Sequence, residues 1–173
     1  MMKVLQINTT LTSGSTGRLA SGIGDFMMKH GHQSYIAYSR KSSETESHEI
    51  KIGNKIDFYL HVLKTRLGDR HGFGSKSSTE GLVEKINLIS PDIIHLHNIH
   101  GYFINVEILF KYLKNAHIPV VWTFHDCWPF TGHCSYFDAV NCYKWTSSCS
   151  KCPNKRAYPS SWLLDNSRRN YIE

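Results

Sequence analysis

Four stretches of this sequence carry residue types that could do chemistry. The first is Asn8-Thr9-Thr10-Leu11-Thr12-Ser13-Gly14-Ser15-Thr16-Gly17-Arg18, a polar run ahead of a helix-like pattern. Gly14 and Gly17 let backbone amides approach an oxyanion, and the N-terminus of the following helix favours negative charge. Ser15 and Thr16 add hydroxyls, and Arg18 a charge-assisted contact. The run is neither a dinucleotide fingerprint nor a P-loop, so phosphate or sugar binding stands beside a plain strand-to-helix turn. The second stretch is His95-Leu96-His97-Asn98-Ile99-His100. On a strand, alternation puts His95 and His97 on one face, where two imidazoles could hold a metal or sit as satisfied buried side chains. The third is Trp122-Thr123-Phe124-His125-Asp126-Cys127-Trp128-Pro129-Phe130. Here a His125–Asp126 pair suits hydroxyl recognition, with Trp128 and Phe130 as apolar walls. The alternative is a capping Asp126 and a core His125. The fourth is Cys134-x7-Cys142-x6-Cys149-x2-Cys152, followed by Pro153. Four thiolates would make a closed structural zinc site; free thiols and disulfides are the other readings, and His133 is a substitute ligand.

The elements around these stretches say where they must lie. Residues 3–7 read as a buried strand, and a helix follows from about Thr16 with Leu19, Ile23, Phe26 and Met27 at helical spacing. Gly22 and Gly24 in it suggest close packing against a neighbour. Residues 33–39 form a second strand and residues 49–53 a short one. Asn54 caps a helix with Ile56, Leu60, Leu63 and Leu67 on one face, and residues 68–78 read as a mobile loop. Ser78 or Thr79 caps another helix, with Leu82, Ile86 and Ile89 inward. Residues 92–98 are a strand, Asn105 starts a helix carrying Val106, Leu109, Phe110 and Leu113, and residues 119–125 are the next strand. A last helix runs from Ser160. The pattern predicts an α/β, Rossmann-like parallel sheet with helices on both faces. Right-handed crossovers then bring residues 8–18, 95–101 and 125–131 to one cleft at the carboxyl edge.

Composition narrows the classes. With 173 residues, 40% of them hydrophobic and a net charge of +6, the chain can bury a core and is not of disordered type. No run is long enough for a transmembrane helix, and no secretory signal is evident. That points to a reducing, cytoplasmic setting in which metal ligation outranks disulfides. The charge is too mild to demand nucleic acid. Lys64, Arg66, Arg70 and Lys76 suit a peripheral contact with a membrane, or simply a solvated face.

Together these segments resemble the N-terminal domain of a family 4 glycosyltransferase of the two-domain GT-B type. The matching runs are KVLQINTTLTSGSTGRLA, PDIIHLHNIHGYFIN and PVVWTFHDCWPFTGHCSYF. The tail CYKWTSSCSKCP is similar to a subgroup associated with bacterial surface-polysaccharide synthesis. The resemblance implies transfer of a sugar, with retention, from a nucleotide-sugar donor to a glycan or lipid-linked acceptor. It implies that this domain holds the acceptor, that Gly14–Gly17 approach the donor phosphates and that His125 touches the donor sugar as the catalytic-site histidine. His97, Asn98 and Asp126 are added as cleft contacts. The expected organisation is one domain over residues 1–173, with residues 127–157 a Cys-rich insertion. The family's second domain carries a Glu-x7-Glu motif, and no two Glu stand at that spacing here. The expectation is therefore an N-terminal half, inactive or nearly so without a C-terminal donor-binding domain.

Two other classes remain open. His95, His97 and His100 are similar to the His-x-His-x-Asp-His pattern of metallo-β-lactamase-type hydrolases, though Ile99 takes the Asp position. The cysteine segment, ringed by Lys144, Lys151, Lys155 and Arg156, could instead be a non-catalytic zinc-knuckle module for nucleic acid or protein.

Overall fold

A computed structural model describes residues 1–172. The chain runs β1 (Lys3–Ile7), β2 (Thr10–Leu11), α1 (Gly14–Lys29), β3 (Gln33–Tyr38), β4 (Arg40–Lys41), β5 (His48–Lys51), α2 (Lys55–Gly68), α3 (Lys76–Ile89), β6 (Ile93–Leu96), α4 (Val106–Asn115), β7 (Val120–Trp122) and α5 (Ser167–Ile172). Five strands form a parallel sheet in the order β5-β3-β1-β6-β7, and β2 pairs with β4 in a small parallel ribbon beside it. Chain order reverses direction between β1 and β6, so the loops after these strands flank the switch point at the carboxyl edge. This is the doubly wound α/β architecture that the strand–helix alternation predicts.

Alternation along β1 sorts its side chains. Leu5 and Ile7 join the main core with Leu82 and Ile86 of α3 and Leu109 of α4. Gln6 turns to the opposite face, where its amide donates to the Ala20 carbonyl of α1 at 2.9 Å. Asn54 and Asn105 cap α2 and α4, accepting the Asp57 and Ile108 amides at 3.0 and 3.1 Å.

Several local expectations are corrected. Helix α1 does not bury Leu19 and Phe26, which are exposed; it packs through Gly17, Ala20, Ser21 and Gly24. A Cβ at Gly24 would sit 2.2 Å from Ser47 Oγ and 2.8 Å from Ser34 Oγ, whereas one at Gly22 would meet nothing. Close packing therefore explains Gly24 alone. Helix α2 is turned around: Ile56, Leu60, Leu63 and Leu67 are exposed, and His61 and Thr65 are buried. The cause lies in the next segment. Residues 69–75 are not a mobile loop, because Asp69, His71, Phe73 and Ser75 are all buried. Their amides need acceptors, and His61 Nε2 takes those of Gly72 and Gly74 at 3.2 Å each. Helix α3 accordingly begins at Lys76, so Ser78 and Thr79 lie within it rather than cap it, β7 ends at Trp122, and α5 begins only at Ser167.

Residues 127–157 contain three single 3-10 turns, at Trp128–Phe130, Asp138–Val140 and Lys144–Thr146. Aromatic contacts organise them. Trp145 packs edge-on against Phe130, at 5.0 Å between centroids, and at 5.1 Å against Phe137. Cys152 N–H donates to Asp165, which also accepts from Ser167, tying the segment to α5.

Candidate functional site

The three polar segments meet at the carboxyl edge, the first two through backbone amides and the third through the His97–His125 contact. Thr9 N–H donates to the Asn98 carbonyl at 2.9 Å, and Asn98 N–H donates to Asn8 Oδ1 at 3.1 Å. These bonds bridge the switch point. Asn8 also reaches Thr10 O and Thr16 Oγ1, which fixes the first loop against the start of α1. Ser13 holds the N-cap position with no side-chain bond to the helix amides. Gly14 has φ of +66°, a turn an L side chain rarely adopts. A Cβ at Gly17 would lie 2.8 Å from Thr10 Oγ1, so glycine there lets the loop fold onto the helix. Ser15 and Arg18 are exposed at the same end, and Thr16 is half-buried.

His97 is 2% exposed and lies between two partners. Its Nε2 is 3.0 Å from Gln6 Oε1, and its Nδ1 is 3.1 Å from His125 Nε2. The ring of His95 lies against it, tilted by 35°, with 3.9 Å between centroids. Burial lowers the His97 pKa to about 3, so the ring is neutral at physiological pH. His125 is half-buried and packs with His97, Asn98, His100, Asp126 and Trp128 around a crease too tight to hold a water molecule. Trp128 also walls a cavity of about 580 Å³, beside Trp122 and Phe110, with Asp69, His71 and His133 among its polar lining.

Asp126 has its carboxylate turned inward. Its Oδ2 is 2.6 Å from His100 Nε2, and its Oδ1 accepts Trp128 N–H at 2.9 Å. The pair is under 10% exposed, and Tyr158 Oη bonds the other His100 nitrogen at 2.9 Å. Asp126 therefore orders the turn into Trp128 from within the lining of the crease.

The same geometry removes the metal reading of the histidines. His95 and His97 do share a face, but His100 lies with Asp126 and Tyr158. Among the described residues, no group of three or more His, Cys, Asp or Glu side chains is placed to hold a metal ion. That finding also corrects the zinc expectation. Cys134, Cys142, Cys149 and Cys152 line one small pocket beside His133, yet they are free thiols and do not form such a group. The interaction between the neighbouring Cys134 and Cys152 thiols lowers the Cys134 pKa and raises that of Cys152. His133 lines the same pocket, with Nδ1 bonded to the buried carboxylate of Asp69.

The basic residues expected to face a membrane are mostly engaged. Lys64 donates to Phe73 O, Arg66 to Pro159 O and Ser160 O, and Arg70 to Asn170 Oδ1. Lys144 likewise bonds the Ser150 and Lys151 carbonyls, and Lys155 that of Leu163. No helix among the described residues is long and apolar enough to cross a membrane. Gln6 and Tyr158 are the site residues that sequence reading misses. A polar residue in an otherwise apolar strand is the available signal for Gln6.

A doubly wound sheet with its polar loops gathered at one switch point defines the class of α/β domains that bind ligands outside the carboxyl edge of the sheet. The family model "Glycosyltransferase Family 4" matches residues 17–171, and the chain belongs to that family. A curated relative is the "Putative colanic acid biosynthesis glycosyl transferase WcaC" of Escherichia coli (strain K12), 27% identical over 170 residues. That match covers 91% of this chain and 41% of the relative, so the chain spans less than half the relative's length.

Proposed function

We propose that this chain is the acceptor-side domain of a retaining glycosyltransferase that moves a sugar from a nucleotide-sugar to a glycan or lipid-linked acceptor in polysaccharide synthesis. Family membership supports transferase chemistry, and the name of the relative supports the polysaccharide setting. The observation that carries the reading is the meeting of the α1 N-terminus, Asn98 and His125 at the switch point. In this reading the amides of Gly14–Gly17, with Ser15, Thr16 and Arg18 beside them, face the donor phosphates. His125 receives the donor sugar, with His97 behind it and Asn98 beside it. Asp126 acts only through the turn it holds. A second, C-terminal domain supplies the main grip on the nucleotide and most of the charge stabilisation of the leaving group.

A cytoplasmic position at the inner face of a membrane fits the same reading. Its support is the exposed row of Ile56, Leu60, Leu63 and Leu67 on α2, rather than the basic residues that the sequence puts forward for the contact.

The test is His125→Ala in the complete protein. Turnover is expected to fall at least about tenfold, or about 1.4 kcal/mol of transition-state stabilisation, with the fold retained. Unchanged turnover would remove His125 from the mechanism.

A further inference from the structure

Gln6 is fully buried on a strand whose neighbouring residues, Leu5 and Ile7, are apolar core. A buried amide there must be satisfied, and its partners give it a direction. Its nitrogen lies 2.9 Å from the Ala20 carbonyl, which can only accept, so Nε2 is the donor and Oε1 the acceptor. His97 Nε2, 3.0 Å from Oε1, must then carry a proton. A neutral imidazole has one N–H, so His97 Nδ1 is an acceptor. His125 Nε2 stands 3.1 Å from it and must donate. Direction therefore passes from a helix carbonyl, through an amide and one imidazole, to a second imidazole at the crease.

We propose that Gln6 and His97 are positioning residues that hold His125 as its Nε2–H tautomer, presenting the Nδ1 lone pair to a hydroxyl of the bound sugar. The proposal rests on the reading of His125 given above. A lone pair at that point accepts from an O–H donor and repels a phosphate or carboxylate oxygen, so the crease is set for the sugar and not for the anionic part of the donor.

The surroundings keep this chain in register. His95 lies tilted against His97, and His125 lies nearly parallel to it, at 18° between ring planes. Trp122 Nε1–H donates to the His97 carbonyl at 3.1 Å, tying the end of β7 to the backbone of the relay. Burial keeps His97 neutral, which preserves its single N–H and hence the direction.

The decisive measurement is a long-range ¹H–¹⁵N correlation spectrum of the chain labelled with ¹⁵N-histidine. His97 and His125 should each show a protonated Nε2 and an unprotonated Nδ1. A protonated Nδ1 as the main neutral form at either residue overturns the relay. In Gln6→Leu the signals of both should move toward tautomer mixtures while those of His100, off the relay, stay fixed. Unchanged His125 signals in folded Gln6→Leu also overturn the proposal. Should that variant not fold, the unmodified chain still decides the matter by its own tautomers. The two readings fail separately. Unchanged turnover of His125→Ala in the complete protein removes the sugar contact, and with it the purpose assigned to the relay, while the tautomers stand. Wrong tautomers with turnover still dependent on His125 remove the relay alone.

Discussion

Acidification should weaken this fold through histidines that burial keeps neutral. His61 is the clearest of them. Its Nε2 accepts two amides, from Gly72 and Gly74, and its Nδ1 is 2.9 Å from Ser75 Oγ. A proton on Nε2 would break both amide bonds and leave a charge in a site 1% exposed. Burial accordingly lowers its pKa from 6.5 to about 3. The folded value lies below the unfolded one, so below pH 6.5 the unfolded chain binds the proton first. The stability concerned is fully present above pH 6.5 and is lost as pH falls toward 3. Between pH 7.5 and 5.5, the loss from His61 alone is about 1.4 kcal/mol. For a domain of this size that lowers Tm by about 3–6 °C. His71 and His97 shift the same way through burial and add to the loss. The assay is urea unfolding followed by tryptophan fluorescence at the two pH values, for the unmodified chain and for His61→Gln. The variant should be less stable at pH 7.5 and should lose about 1.4 kcal/mol less on acidification. An equal pH slope in the two proteins would refute the reasoning.

Further substitutions test the packing. Gly24→Ala should cost about 1–3 kcal/mol, because its Cβ meets Ser47 and Ser34, while Gly22→Ala should gain about 0.5–1 kcal/mol, both read from urea midpoints. Asp69→Ala, which leaves buried His133 without its carboxylate and frees the Asn166 amide, should cost about 3–5 kcal/mol; a loss under about 1 kcal/mol would show that the pair is not needed. Leu60→Glu should change stability by no more than about 0.5 kcal/mol, since Leu60 lies on the outer side of α2, and a loss of about 2 kcal/mol or more in thermal unfolding would return it to the core.

Much of the fold is legible because it is local. A short apolar run around Leu5, the caps at Asn54 and Asn105, and the spacing of Leu82 and Ile86 each declare an element within a few residues. The alternation of those elements then implies a parallel sheet and a polar cleft at its carboxyl edge. The helix faces are less legible. On α2 the residues Ile56, Leu60, Leu63 and Leu67 stand at helical spacing, but a hydrophobic period reports an apolar stripe without saying what covers it. On α1 the contact surface is made by small residues, and glycine carries no hydrophobic signal at all.

The sequence by itself determined the order of the main strands and helices, the caps at Asn54 and Asn105 and the segments that gather at the switch point, since these follow from backbone preference and side-chain period over short spans. Only the tertiary structure decided which polar groups satisfy one another. Gln6 meets His97 across 91 positions, His133 meets Asp69 across 64, and Asp126 is drawn inward by His100. Burial makes an unpaired polar group costly, so each takes whichever partner the fold brings within reach. That choice depends on strand order and loop path, and no spacing along the chain records it.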